Sequence, residues 1–314
     1  MKIFYVKHAD IDKEKWDQCI DNSANGLIYA YSYYLDIMSE NWDALVMNDY
    51  EAIMPLTCNK KFGISYLRQP PFTQQLGIFG NFSIKNDLTE KFITEASKYF
   101  PFMEINFNYS NEYKKATATK CNLILPLNRP FFEIEESFRK DFVKRVKRNN
   151  LIYNSSQHVE KAIQLFKENY SDRIHTSRKN YGEWLHLCIL LKSKKQLFVR
   201  EVTAASGELL SIALFLKDSR RIYYVMSITL VSGRKNESNY FLLYNVIKEF
   251  AEQNLILDFE GSDIPSIKLF FKKFGAVEQP YSFVRINHLS FFKKQIKSIS
   301  DFYKFNSKKN RLLL

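Results

Sequence analysis

Glycine is scarce, with nine in 314 residues. Loops that cradle phosphate with several closely spaced glycines have nothing to be built from. No GxxxxGK[ST], GxGxxG or GxSxG pattern occurs. The four cysteines, Cys19, Cys58, Cys121 and Cys188, lie far apart without a CxxC pair. That spacing points to buried thiols rather than to zinc or redox chemistry. The histidines are scattered, with no HExxH or HxxxH spacing, so no metal is expected. Long apolar runs are missing as well. The stretch from Leu209 to Leu216 contains Ser211 and falls far short of the roughly 20 residues that a membrane span needs. The opening MKIFYVKHADIDKEKW turns charged too early for a secretory signal, so a cytoplasmic location is expected.

Aromatic residues are abundant. Twenty-seven Phe and 19 Tyr within a 46% apolar composition supply bulky cores. The length is about twice that of a typical domain, so two domains are expected. The net charge of +12 is concentrated: residues 139–148 (RKDFVKRVKR) carry +5 and residues 291–314 carry +6. Local cations of this kind suit an anionic partner at particular places, or else a solvated helix face and a loose tail. On the basic helix, Phe138, Phe142 and Val146 recur every four residues as a packing stripe, with Lys140, Lys144, Lys147 and Arg148 on another face.

The order of elements repeats. Strands at 42–47, 51–58 and 64–68 are separated by turns and followed by an amphipathic helix at 88–100 and a strand at 102–107. The second half has strands at 197–203, 209–216 and 221–228, a helix at 239–253 and a strand at 255–259. A short helix at 264–274 and a last strand at 281–286 complete it. Helical stretches at 132–149, 157–170 and 178–191 lie between. Hairpins mixed with a helical crossover, given twice, predict an α/β (α+β) protein of two similar halves. Each half is expected to hold a mixed, mostly antiparallel sheet flanked by helices. The expected division is 1–128, 129–290 and a basic tail at 291–314.

Two segments carry a resemblance. Leu257-Asp258-Phe259-Glu260-Gly261-Ser262 precedes Phe270-Phe271-Lys272-Lys273-Phe274-Gly275, and the basic helix spans Arg139 to Arg148. The chain thereby resembles the GNAT superfamily, and its duplication resembles the FemAB-like branch of tandem GNAT acyltransferases. The stretch from Tyr66 to Gly77, with its Pro70-Pro71 break, resembles a segment of uncharacterised members. The pattern departs in two places. Its lysine, which in the family is thought to steady charge at the reacting carbonyl, falls on Phe271. The usual pyrophosphate loop at a helix N-terminus is replaced by Val231-Ser232-Gly233-Arg234-Lys235-Asn236-Glu237-Ser238.

The resemblance implies transfer of an acyl or aminoacyl group to an amine, small or cell-wall-like. The donor would be acyl-CoA or aminoacyl-tRNA as co-substrate, with no tightly bound cofactor. Glu260 and Ser262 are the catalytic candidates, Glu260 as a base for the attacking amine. Asp258 and Glu260 alternate on a strand and so should share a face. Ser227, Gly233, Arg234, Lys235 and Ser238 are candidates for donor binding, with Ser238 as a helix cap. Arg68, Gln74 and Gln75, beside the Pro-Pro break, are candidates for substrate binding and should meet Glu260 and Ser262 at one pocket. The rival reading is a GNAT-shaped scaffold that has lost catalysis and binds RNA, tRNA included, or another polyanion.

Overall fold

The computed structural model describes residues 2–61, 63–170, 176–261 and 263–289. The first half runs β1 (Ile3–Val6), α1 (Lys13–Asn22), α2 (Ser32–Met38), β2 (Trp42–Met47), β3 (Ala52–Lys61) and β4 (Ile64–Arg68). It continues with β5 (Phe79–Gly80), α3 (Asn86–Ser97), β6 (Phe102–Asn106) and β7 (Ala118–Pro126). Next come α4 (Phe131–Glu136), α5 (Lys140–Arg148), β8 (Ile152–Ser156), α6 (Val159–Tyr170), α7 (Arg178–Ser193), β9 (Leu197–Thr203), β10 (Leu209–Lys217) and β11 (Arg221–Thr229). The chain then forms α8 (Val231–Lys235), α9 (Ser238–Phe250), β12 (Ile256–Asp258), α10 (Pro265–Lys272) and β13 (Val277–Asn287).

Local chemistry explains the boundaries. The Asp12 carboxylate caps α1 by accepting from the backbone of Glu14 and Lys15, and the helix buries Trp16, Cys19 and Ile20 on one face. Ser177 caps α7 in the same way, and Tyr181, Trp184, Leu187, Cys188 and Leu191 make its buried stripe. The β2–β3 turn places Asn48 and Tyr50 at positive φ, and the β9–β10 turn uses Gly207. Pro265 takes the first helical position of α10, where its missing N–H costs nothing.

The two halves repeat one pairing scheme. Strands β1 to β4 pair antiparallel in sequence, and β6 returns through α3 to lie parallel to β4. Strands β8 to β11 do likewise, and β12 returns through α9 to lie parallel to β11. The expected mixed, mostly antiparallel arrangement is therefore present twice.

The halves are joined more intimately than one sheet apiece. The strand order is β1-β2-β3-β4-β6-β13-β7-β12-β11-β10-β9-β8, a single path with β5 attached to β3. The last strand of each half has been exchanged: β13 pairs with β6, and β7 pairs with β12, while β13 and β7 pair with each other. Pattern-based reading sees each strand but not its distant partner, so it expected separate sheets. One hydrophobic core draws on both halves, with Tyr29, Leu45 and Phe92 in the same cluster as Trp184, Ile212 and Tyr223. A second core fills the other face of the second half, between its strands and α4, α5, α9 and α10.

Other details depart from the sequence reading. The helical stretch at 132–149 is two helices, broken at Ser137–Arg139 where Arg139 N–H turns to the carbonyl of Lys273. Residues 231–235 form the short helix α8 rather than a loop. Among the described residues no helix is long and apolar enough to cross a membrane.

Candidate active site

A buried polar network lies where the halves meet. Asp258 ends β12 and faces Arg221, whose Nη1 donates to Asp258 Oδ2 at 2.9 Å. Both side chains are almost wholly buried. Burial works against the charge on Arg221, but Asp258 and the hydroxyls of Tyr223 and Tyr109 outweigh it, and its pKa is raised. The Tyr109 ring also stacks under the guanidinium, 4.6 Å from its carbon. The Asn122 amide donates to both oxygens of Asp258 at 3.0 Å. Gln74 Nε2 donates to Asn122 Oδ1 at 3.3 Å, and Gln75 Nε2 donates to Gln74 Oε1 at 2.6 Å. Gln75 Oε1 accepts from the backbone of Tyr109 at 2.9 Å, which closes the network on the first half.

Glu260 stands at the edge of this network. The strand ends at Asp258, and Glu260 (φ 61°) and Gly261 (φ 59°) are both left-handed. Strand alternation therefore does not relate Asp258 to Glu260, contrary to the sequence reading. They are joined instead by the Glu260 N–H, which donates to Asp258 Oδ1 at 2.9 Å. The Glu260 carboxylate accepts from the hydroxyl of Tyr29, a buried residue of the first half. Burial pushes its pKa up to about 8. Gly261 has no room for a side chain, because a Cβ would lie 2.8 Å from the Cα of Asn122.

Gln74, Gln75 and Glu260 are thus brought to one network, through Asn122 and Asp258. Arg68 is not part of it. Its side chain is exposed at the end of β4, and its carbonyl accepts from Thr57 Oγ1 at 2.6 Å. Ser262 lies outside the described residues. Tyr29, Asn122, Arg221 and Tyr109 complete the network, and sequence reasoning did not single them out. The mixture of buried amides, a tyrosine and an Arg–Asp pair becomes recognisable only once the strands are paired.

The parallel register of β11 and β12 covers Arg221 to Tyr223 against Ile256 to Asp258, and β11 runs on to Thr229 without β12 beside it. A pocket lies at that far end of β11, between α8, the start of α9 and α10. The space there, about 620 Å³, is lined by Thr229, Gly233, Asn239, Tyr240, Ser266 and Phe270, among others. Gly233 and Arg234 of the donor-binding candidates lie on this lining. Ser227 is one bond away, donating to Asn239 Oδ1 at 3.4 Å. Lys235 is exposed on α8. Ser238 does not cap α9. The cap position is Glu237, in a left-handed conformation, and the buried Ser238 hydroxyl has no hydrogen-bond partner among the described residues. A Cβ on Gly233 would run into the Leu210 carbonyl and come within 2.6 Å of that hydroxyl. Close packing of α8 on β10 is thus what requires the glycine.

The basic helix α5 flanks this region. Phe138, Phe142 and Val146 are buried, as their spacing predicts. Arg145 pairs with Glu237 at 2.6 Å and Lys147 with Glu135 at 2.7 Å. Phe271, where the resemblance noted in the sequence would place a lysine, is buried against Phe259 and Tyr224.

A strand scheme given twice, with a crossover helix and a parallel pair in each half, is a tandem GNAT-like fold. FemX matches it with a TM-score of 0.63 and 11% identity, over 90% of this chain and 97% of FemX. A conserved protein of unknown function from Bacteroides thetaiotaomicron VPI-5482 matches at TM-score 0.56 and 11% identity, over 88% of this chain and 98% of its own. At such identities the likeness establishes the fold alone. No protein-family model and no curated protein sequence matches the chain.

Proposed function

We propose that the chain is an acyltransferase, moving an acyl or aminoacyl group from an acyl-CoA or aminoacyl-tRNA donor to an amine acceptor. The observation that carries this reading is the pocket enclosed by the end of β11, α8, the start of α9 and α10, in the half whose β12 leads into Glu260. The donor would occupy the pocket, with the exposed Arg234 and Lys235 meeting its phosphates. Residues 1–128 would shape the acceptor side through Gln74 and Gln75, and residues 129–290 would hold the donor. The acceptor amine attacks the donor carbonyl, its nitrogen–carbon bond forms, and its proton passes to the Glu260 carboxylate. The carbon–sulfur or carbon–oxygen bond to the donor then breaks, and the leaving thiolate or alkoxide takes up a proton. A carboxyl whose pKa stands near 8 is well matched to that exchange near neutral pH. No covalent enzyme intermediate is involved.

The rival scaffold reading gains from Phe271, an apolar core residue where the family pattern has lysine. A melting-temperature screen with CoA thioesters and aminoacyl-tRNA, followed by a turnover assay with whichever donor binds, separates the two, because a tRNA-binding scaffold would bind without turnover. We expect one donor class to raise the Tm of the wild type, and Ser266→Trp, which fills the pocket, to abolish that rise. We also expect Glu260→Gln to bind the donor but turn over at least about a hundredfold more slowly. No Tm rise with any donor of either class would remove the transferase reading.

A further inference from the structure

The rim of the pocket at the end of β11 is aliphatic as well as cationic. Val231 lies between the pocket-lining Thr229 and Gly233 and is 70% exposed. Leu269 lies between the lining residues Ile267 and Phe270 and is 63% exposed. Single exposed aliphatics are ordinary, but here two stand on opposite sides of one pocket, on α8 and α10, with cations around them. Cations accompany them. Arg234 and Lys235 share the short helix of Val231, and both are exposed. Lys140, Lys144 and Arg148 are exposed on α5, which is tied to the same corner by the Arg145–Glu237 pair and by Asn149 donating to the carbonyl of Asn236 at 3.3 Å. Of the neighbouring acids, Glu237 is engaged by Arg145, and Asp141 by Arg139 and Arg145. Asp263 stays exposed, and the cations outnumber it.

We propose that this rim docks on an anionic lipid bilayer, with Val231 and Leu269 entering the acyl region and the surrounding Lys and Arg side chains resting on the headgroups. Charge complementarity selects an anionic surface. The exposed aliphatic residues favour lipid over RNA, because single-stranded RNA is held by cations and by free aromatic faces that stack on bases. Val231 and Leu269 can do neither, and the pocket's Tyr240 and Phe270 rings are packed against each other and against Phe274. Apolar side chains set among cations are the means by which a peripheral protein grips a membrane face. Docked in this way, the pocket meets the headgroup layer. The inference does not depend on the transferase reading.

The test is flotation of the full chain with vesicles of phosphatidylcholine containing phosphatidylglycerol, against vesicles of phosphatidylcholine alone. The wild type should float with the first and not with the second. Val231→Ser/Leu269→Ser should float at least about fivefold less, with an unchanged Tm. Two results overturn the proposal: no flotation of the wild type with anionic vesicles, or equal flotation of the double variant. The second would assign binding to charge alone, the basic segment 291–314 included. A chain that shifts tRNA in a gel but ignores vesicles would make the rim a nucleic-acid surface and end the proposal too.

Discussion

At the scale of single residues, Glu260 has the most measurable consequence. Its carboxyl ordinarily titrates near 4.5 and is raised to about 8 in the fold by burial. Between those values the unfolded chain has lost the proton while the folded chain retains it. Stability is therefore fully present below pH 4.5 and is lost as pH rises through about 8. Glu260→Gln removes the titration. The variant should match the wild type near pH 4.5 and exceed it by up to a few kcal/mol at pH 8, read by urea unfolding at both pH values. Parallel pH curves for the two proteins would show that the carboxyl is solvated. Glu260 was legible in the sequence as an acid before a glycine, but its orientation was not. Strand alternation failed because two successive left-handed residues turn the chain just after Asp258. Gln74 and Gln75 were legible from the Pro-Pro break. Tyr29 was not, because its partner lies on the far side of the duplication.

At the scale of elements, the periodic signals were reliable and the special corners were not. The stripe of Phe138, Phe142 and Val146 needs only helical spacing to be seen. The ion pairs of Arg145 and Lys147 need the neighbouring helices, and they leave fewer free cations on α5 than the sequence suggests. The segment 231–238 has polar composition and a glycine, the signature of a loop, yet it forms α8 because Gly233 lets that turn press onto β10. Gly233→Ala should therefore cost about 2–4 kcal/mol of stability in the absence of any ligand, measured by chemical unfolding. An unchanged stability together with weaker donor binding would instead make Gly233 a phosphate contact.

At the scale of the whole molecule, the repeated order of elements was visible and the exchange of last strands was not. Each strand carries its apolar pattern locally, but nothing local in β13 says that its partner is β6, on the other side of the duplication. The exchange and the shared core bind the halves into one cooperative unit. Calorimetry of the full chain should give a single transition whose van't Hoff and calorimetric enthalpies agree. Two resolved transitions would mean that the halves melt separately in spite of the exchange.

The exchanged strands also set a waiting time during synthesis. The edge of β6, with Phe102, Met103 and Ile105 along it, is made first, and its partner β13 follows only after all the elements from β7 to α10 have been synthesised. At roughly 5–20 residues per second, that edge stays uncovered on the order of ten seconds or more. An open apolar strand edge is a template for pairing with another chain. Until β13 arrives, the nascent first half thus presents a pairing edge that the finished fold hides, and neighbouring chains on a polysome are the nearest candidates to pair with it.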